Sequence, residues 1–173
     1  MRKQQITGWT HQRRRTWANG SDWGRRFTQM ANKKNLVSAS QEAQIREAVL
    51  EWLNDCPNKP GKVEYSFLGK TSGIATGTIQ SAYKVAEYIC GGYKAQYQFE
   101  LVYRLIAENS EERIAADNLL DSMAEWMENN PPEAPVGVNW WKAKRDNGAA
   151  HVASYDNGAE DHSIQITITY EVI

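Results

Sequence analysis

The sequence predicts an α+β domain in two layers, with a mainly antiparallel sheet, two helices packed on one face and a long projecting β-hairpin. Three observations lead there. First, residues 83–106 read YKVAEYIC–GG–YKAQYQFELVYRLI, two strand-like runs around Gly91-Gly92. Adjacent glycines supply the positive φ that tight hairpin turns require. Second, two stretches repeat apolar residues at three- and four-residue steps, the period of an amphipathic helix. Third, the last third alternates at a period of two and is punctuated by two Asn-Gly pairs. Two amphipathic helices need an apolar floor, and a one-sided sheet provides it.

The hairpin is the longest regular feature. After the turn Tyr93, Ala95, Tyr97, Phe99, Leu101, Tyr103 and Leu105 share one face. Lys94, Gln96, Gln98, Glu100 and Arg104 share the other, with Val102 the one apolar exception. Thirteen residues at a strand's rise span roughly 44 Å, longer than most strands. Such a strand must bend, carry a bulge or extend past the body of the domain.

Residues 1–35 form a basic, Arg/Trp-rich N-terminal extension with neither period. Residues 1–29 carry seven Lys and Arg against Asp22 alone, a balance of +6 that leaves −7 for the remainder. Arg13, Arg14, Arg15, Trp17, Trp23, Arg25 and Arg26 are the candidate contacts for nucleic acid or an acidic partner. Arginine meets phosphate, and tryptophan can stack on bases. A solvated tail fits the same composition, and Met30-Ala31-Asn32-Lys33-Lys34 reads as a start in its own right.

Residues 36–173 form the single α+β domain. Ser38 and Gln41 have capping-box spacing, opening a helix over 41–54 with Ile45, Ala48, Val49, Trp52 and Leu53 inward. Pro57 closes it. Residues 63–68 read as a strand. Gly69-Lys70-Thr71 resembles the tail of a phosphate-binding loop, but the required earlier glycine is Glu64, so no nucleotide site is expected. Residues 69–82, rich in Gly, Ser and Thr, read as a long exposed loop. Asn109 and Glu112 cap a second helix over 110–129. Ala115, Leu119, Leu120, Met123, Trp126 and Met127 make its buried stripe, with Asp117, Asp121, Glu125 and Glu128 on a solvated face. Strands follow at 138–145, 149–155 and 162–173, separated by Asp146-Asn147-Gly148 and Asp156-Asn157-Gly158, both of which signal hairpins. In the last strand Ile164, Ile166, Ile168, Tyr170 and Val172 face one way. Burying them contributes on the order of 10 kcal/mol gross, as an upper bound.

Length and composition set outer limits. The chain has 173 residues, 41% hydrophobic and 24% charged, in keeping with one soluble domain. No apolar run approaches the ~20 residues of a membrane span. The basic start lacks an apolar continuation, so no secretory signal is expected. Cys56 and Cys90 are isolated thiols that make neither a zinc site nor a disulfide framework. His11, His151 and His162 are tied to no nucleophile by a local motif. Glu111-Glu112 and Glu160-Asp161 read as solvated charge at a helix start and a turn. No catalytic residue, cofactor or metal is expected, and the chain is not read as an enzyme.

The C-terminal half resembles a known family. The run 88–105, a glycine turn leading into an aromatic-rich alternating strand, is similar to the minor capsid or tail-terminator (tail-completion, head–tail joining) proteins of long-tailed bacteriophages. The resemblance continues through Ala124-Glu125-Trp126-Met127-Glu128 at the end of a charged helix, the proline turn of Pro131, Pro132 and Pro135, and the closing strand Gln165-Ile166-Thr167-Ile168-Thr169-Tyr170. It covers about residues 36–173. It implies a structural virion protein that forms a homo-oligomeric ring, usually a hexamer, capping the tail tube at the head–tail junction. The implied partners are other copies of the chain, the tail tube protein, the head connector and completion proteins, and DNA in the lumen, with no membrane. The implied location is the virion, and the host cytoplasm during viral assembly. Ring closure would bury Tyr83, Tyr88, Tyr93 and Tyr97 between subunits. The alternative function is a nucleic-acid-binding module acting through the basic N-terminal segment.

Overall fold

The computed structural model describes residues 35–173 of the chain. Arg13, Arg14, Arg15, Trp17, Trp23, Arg25 and Arg26 lie outside the described residues. The elements are α1 (Ala39–Asp55), β1 (Val63–Tyr65), β2 (Gly73–Glu87), β3 (Tyr93–Ile106), α2 (Ser110–Asn129), β4 (Val138–Arg145), β5 (Ala150–Ser154) and β6 (Ala159–Val172). The fold is the expected α+β one. Its six named strands form a mixed, mostly antiparallel curled sheet in the order β1-β2-β3-β6-β4, with β5 also paired to β6. Only β1 and β2 run parallel. A single bridge from Leu36 to Tyr83 lengthens the β2 edge.

Both helices start where their caps say. The Ser38 hydroxyl accepts from the Gln41 amide, and the Asn109 side chain accepts from the Glu112 amide at 3.0 Å. Glu112 returns the favour to the Glu108 amide at 2.8 Å. These bonds satisfy donors that a helix start otherwise leaves open. α1 packs over β1 and β2, and α2 over the strands from β3 to β6. Trp52 meets Trp126 at a 6.0 Å ring separation, and its indole donates to the Asn130 carbonyl at 2.8 Å. The core between the layers holds Ile45, Val49, Leu53, Tyr97, Phe99, Leu101, Leu120, Met123, Met127, Ile164, Ile166 and Ile168.

Four local expectations are corrected. Residues 69–82 are not one exposed loop, because β2 begins at Gly73 and buries Ile74, Ala75 and Thr76. β2 pairs with β3 over its whole length, and pairing overrides the low strand preference of glycine. The first Asn-Gly pair does not turn a hairpin. β4 and β5 both run antiparallel to β6 in succession, so Asp146–Gly148 interrupts one edge instead of reversing it. There Asp146 accepts from the Thr167 hydroxyl and Asn147 from the Gln165 amide at 2.8 Å, so local side chains stand in for missing ladder bonds. The second Asn-Gly does close a hairpin, with Gly158 at φ +81°. β6 starts at Ala159, three residues before the expected point, and this carries Glu160 and Asp161 out of the turn and into the sheet.

The fourth difference lies in α2. Its buried residues are Ala116, Leu120, Met123, Ala124 and Met127, whereas Ala115 is exposed and Leu119 and Trp126 are half-buried. The acids are likewise less solvated than expected. Asp117 bonds His162, and Asp121 and Glu128 both reach Arg145.

The length of the hairpin is resolved by bulges. Fifteen residues of β2 face the shorter span from Tyr93 to Arg104, with register shifts at 78–80, 80–83 and 84–86. Each shift adds one residue to β2 and bends the strand. Ile79 and Val85 sit in two of these shifts and remain exposed at 44% and 50%. β6 backs β3 along its full length, from Tyr93–Val172 to Ile106–Ala159. The part that stands past the ladder is the turn itself.

Candidate functional site

The hairpin turn, residues 88–92, is closed by Tyr88 N–H to the Gly92 carbonyl at 2.8 Å and Gly91 N–H to the Tyr88 carbonyl at 3.0 Å. Gly91 has φ +97°, a conformation that suits glycine. A Cβ on Gly92 would lie 2.6 Å from the Val172 carbonyl oxygen, so the turn can sit against the end of β6 only because that side chain is absent. Ile89 is wholly exposed, Tyr88 is exposed, and Cys90 presents a free thiol. The Tyr88 hydroxyl donates to Glu171, which fixes the ring against the sheet. Ile173 donates its N–H to the Gly137 carbonyl at 3.2 Å, which places two more exposed side chains, Ile173 and Val136, at this end. One end of the sheet therefore has an apolar rim. Apolar side chains gathered at one end in this way make it the candidate interaction surface of the described residues.

The four tyrosines expected at a subunit interface do not share one environment. Tyr88 is on the rim. Tyr83 is half-buried on the face away from the helices and donates to Gln96 at 2.6 Å. Tyr93 and Tyr97 are not exposed aromatics at all, since they are 8% and 1% exposed inside the chain's own core. They occupy the odd positions of β3, the side covered by helices. Tyr93 donates to Gln41 of α1 at 2.8 Å, and Tyr97 shares a 2.7 Å hydrogen bond with Thr78. Burial pushes the Tyr97 phenol up to about 12.

The opposite end of the sheet carries an open groove of about 640 Å³. Tyr103, Leu105 and Ile106 of β3 form its floor, Glu112, Ala115, Ala116 and Leu119 of α2 one wall, and Thr71 and Ser72 the other. It exists because burial along β3 fades: Tyr93 to Leu101 are covered at alternate positions, and Tyr103 and Leu105 only half. Ala115 and Leu119, read from sequence as core, supply apolar wall instead.

Beside the groove lies a polar network that sequence reasoning missed. Arg104 and Asp161 face each other across β3 and β6 and form a two-pronged ion pair at 2.6 and 2.7 Å. The remaining guanidinium nitrogen donates to the Gly69 carbonyl at 3.1 Å, and Tyr155 donates to Asp161 at 2.7 Å. Burial opposes ionisation of Asp161. The hydrogen bonds from Arg104 and Tyr155 and the guanidinium charge outweigh it and hold the carboxyl below its ordinary range. On the helix side, Arg113 forms a second two-pronged pair with Glu160, both contacts at 2.7 Å. Adjacent residues of a strand point to opposite faces, so Glu160 and Asp161 meet different arginines only because β6 begins at Ala159.

His162 is 1% exposed, and its Nδ1 bonds Asp117 at 2.7 Å. Its Nε2 has no hydrogen-bond partner among the described residues and lies 4.0 Å from Glu160. His151 sits edge-on to it at 5.5 Å and bonds Ser154 at 2.9 Å. An aspartate that orients an imidazole is one part of an acid–base device. Ser154, however, is bonded to the other histidine. Among the described residues no cluster of three or more His, Cys, Asp or Glu side chains is arranged to hold a metal ion. Neither a protein-family model nor a curated protein sequence matches this chain.

Proposed function

We propose that this chain is a structural subunit that assembles with copies of itself into a ring, and that the ring serves as a tail terminator at the head–tail junction of a long-tailed bacteriophage. The observation that carries the assembly half is the hairpin turn with Ile89 wholly exposed and Tyr88 beside it, next to Val136 and Ile173. The phage half rests on the sequence resemblance across residues 36–173. On this reading the ring caps the tail tube protein on one side and meets the connector on the other, with DNA passing through the lumen. The arginines of residues 1–29 are then candidates to meet that DNA.

The work is geometric, not catalytic. A ring requires a heterologous contact, one patch of a subunit against a different patch of the next. The test is the mass of the purified chain by analytical ultracentrifugation across a concentration series, with and without tail tube protein, followed by electron microscopy. Closed rings of one defined number, bound to tube ends, are the expected result. A monomer at every concentration that ignores tube protein refutes the reading.

A further inference from the structure

We propose that the hairpin turn of one copy, led by Tyr88 and Ile89, seats in the groove between α2 and β3 of the next copy. This inference rests on the ring reading and names the two surfaces that would make the ring.

The two surfaces lie at opposite ends of one strand. The turn adjoins Tyr93, and the groove floor ends at Ile106, fourteen β3 residues apart in all. At a strand's rise that is roughly 45 Å, so a turn cannot reach the groove of its own chain. Knob and hole on opposite ends, incapable of meeting within one molecule, are the requirement for a head-to-tail contact.

The chemistry of the two fits. The groove offers apolar side chains that the fold leaves incompletely covered, chiefly Leu105, Ala115 and Leu119. The turn supplies apolar side chains on a narrow, glycine-containing tip. Glu112 stands in the wall, with Glu108 and Glu111 exposed beside it, so the mouth is acidic. The turn from Tyr88 to Tyr93 carries no charged side chain of its own; Glu87 before it is ion-paired with Lys84 at 2.9 Å, and Lys94 follows it.

The size of the contact accounts for closure. One turn in one groove buries far less than the ~1,200 Å² typical of a stable pair. An open dimer is therefore weak. In a closed ring every copy makes the contact twice, and the last contact is intramolecular.

The chain's own thiols provide the test. Cys56 is buried, and Cys90 is exposed in the turn. In the full-length Ala115→Cys variant, mild oxidation with copper–phenanthroline should link Cys90 of one copy to position 115 of the next. Because each copy then holds one thiol at each end, the expected product is a ladder of dimers, trimers and larger species that collapses on reduction. Peptide mapping should find the 90–115 bridge. A tip-to-tip arrangement would give only dimers through two Cys90 thiols and would overturn the proposal.

An Ile89→Asp variant provides the second arm. Its side chain is wholly exposed in the monomer, so circular dichroism should be unchanged. Seating an unpaired carboxylate in an apolar groove should raise the concentration needed for assembly about tenfold or more. If the unaltered chain forms rings and neither variant behaves as described, the docking is wrong and the ring reading stands. If the unaltered chain never assembles, both fall.

Discussion

Replacing Asp161 by asparagine should destabilise the domain by about 3 kcal/mol, close to the lower end of what breaking a buried ion pair costs. The geometry sets that figure. Asp161 is 5% exposed, and the Arg104 side chain is 16% exposed. The substitution keeps the shape and removes the charge, so the guanidinium stays largely out of water with no counter-ion. Two contacts soften the loss. The Gly69 carbonyl still accepts one N–H, and the guanidinium still lies over the Tyr155 ring at 4.4 Å. The assay is urea unfolding followed by tryptophan fluorescence. With a urea dependence of about 2 kcal/mol per molar, the midpoint should fall by roughly 1.5 M. Arg104→Met combined with Asp161→Leu should cost less than Asp161→Asn alone, because an apolar pair leaves no buried charge behind. A single variant within ~0.3 M of the native midpoint, or a double variant worse than the single, would refute the reasoning. The pair also bears on the groove, because Arg104 holds Gly69 and thereby the segment that presents Thr71 and Ser72.

Acid should weaken the fold. Asp161, Glu128 and Glu160 are all held below their ordinary range, Glu128 first by the hydrogen bond from the Arg145 backbone and Glu160 first by the one from Arg113. Depressed carboxyl values contribute stability that is present above the unfolded value of about 4 and is lost as pH falls through the folded one. The urea midpoint should therefore be level from pH 7 to 5 and drop below 4, and a midpoint that rises on acidification would contradict the assignment. Tyr170→Phe should leave stability unchanged or raise it by up to ~1 kcal/mol, because the Tyr170 hydroxyl is buried without a partner among the described residues; a loss beyond ~1 kcal/mol in the same urea assay would show that the hydroxyl is satisfied. Removing residues 1–29 should abolish a salt-dependent shift of duplex DNA in a gel assay without altering the urea midpoint, and an unchanged shift would exclude those arginines as the contact.

Regular features were legible in sequence where local chemistry and tertiary demand agree. Residues 110–129 and 138–145 are placed as predicted, since the Asn109 cap, the Pro131-Pro132 stop and a clean strand pattern leave little choice. The misreadings share a physical cause. Residues 73–82 carry the β-branched Ile74, Thr76, Thr78 and Ile79, but Gly73, Gly77 and Ser81 among them give a loop-like composition that the ladder to β3 overrides. Asn147-Gly148 has hairpin chemistry, yet β6 is long enough to accept β4 and β5 end to end along one edge, so the turn signal becomes a break. On α2, spacing alone cannot tell a residue under the core, such as Leu120, from one at its open margin, such as Ala115. That ambiguity hid the groove. The tyrosines show the same limit: a period of two divides β3 into faces but does not say which face a helix will cover.

The guarding of the sheet bears on how copies can join. A bare edge strand invites another chain to extend the ladder. Here the β2 edge is broken by three register shifts and partly occupied by β1 and the Leu36 bridge. The β4 edge carries a shift between Trp140 and Lys142, with exposed Lys142 and Lys144 beyond it. Bulges and lysines are the devices by which sheets resist edge pairing. Joining by edges would then compete with features that oppose it. Joining by ends would not, because the turn and the groove carry side chains and leave no ladder to complete. Side-chain docking also fixes an angle between subunits, whereas strand addition sets the next copy only by sheet twist. A contact that fixes angle is what a closed ring of constant number requires. Lys142→Val with Lys144→Val should therefore make the chain aggregate without adding to the ring, and rings that gain stability from that pair of changes would show that the edges do the joining.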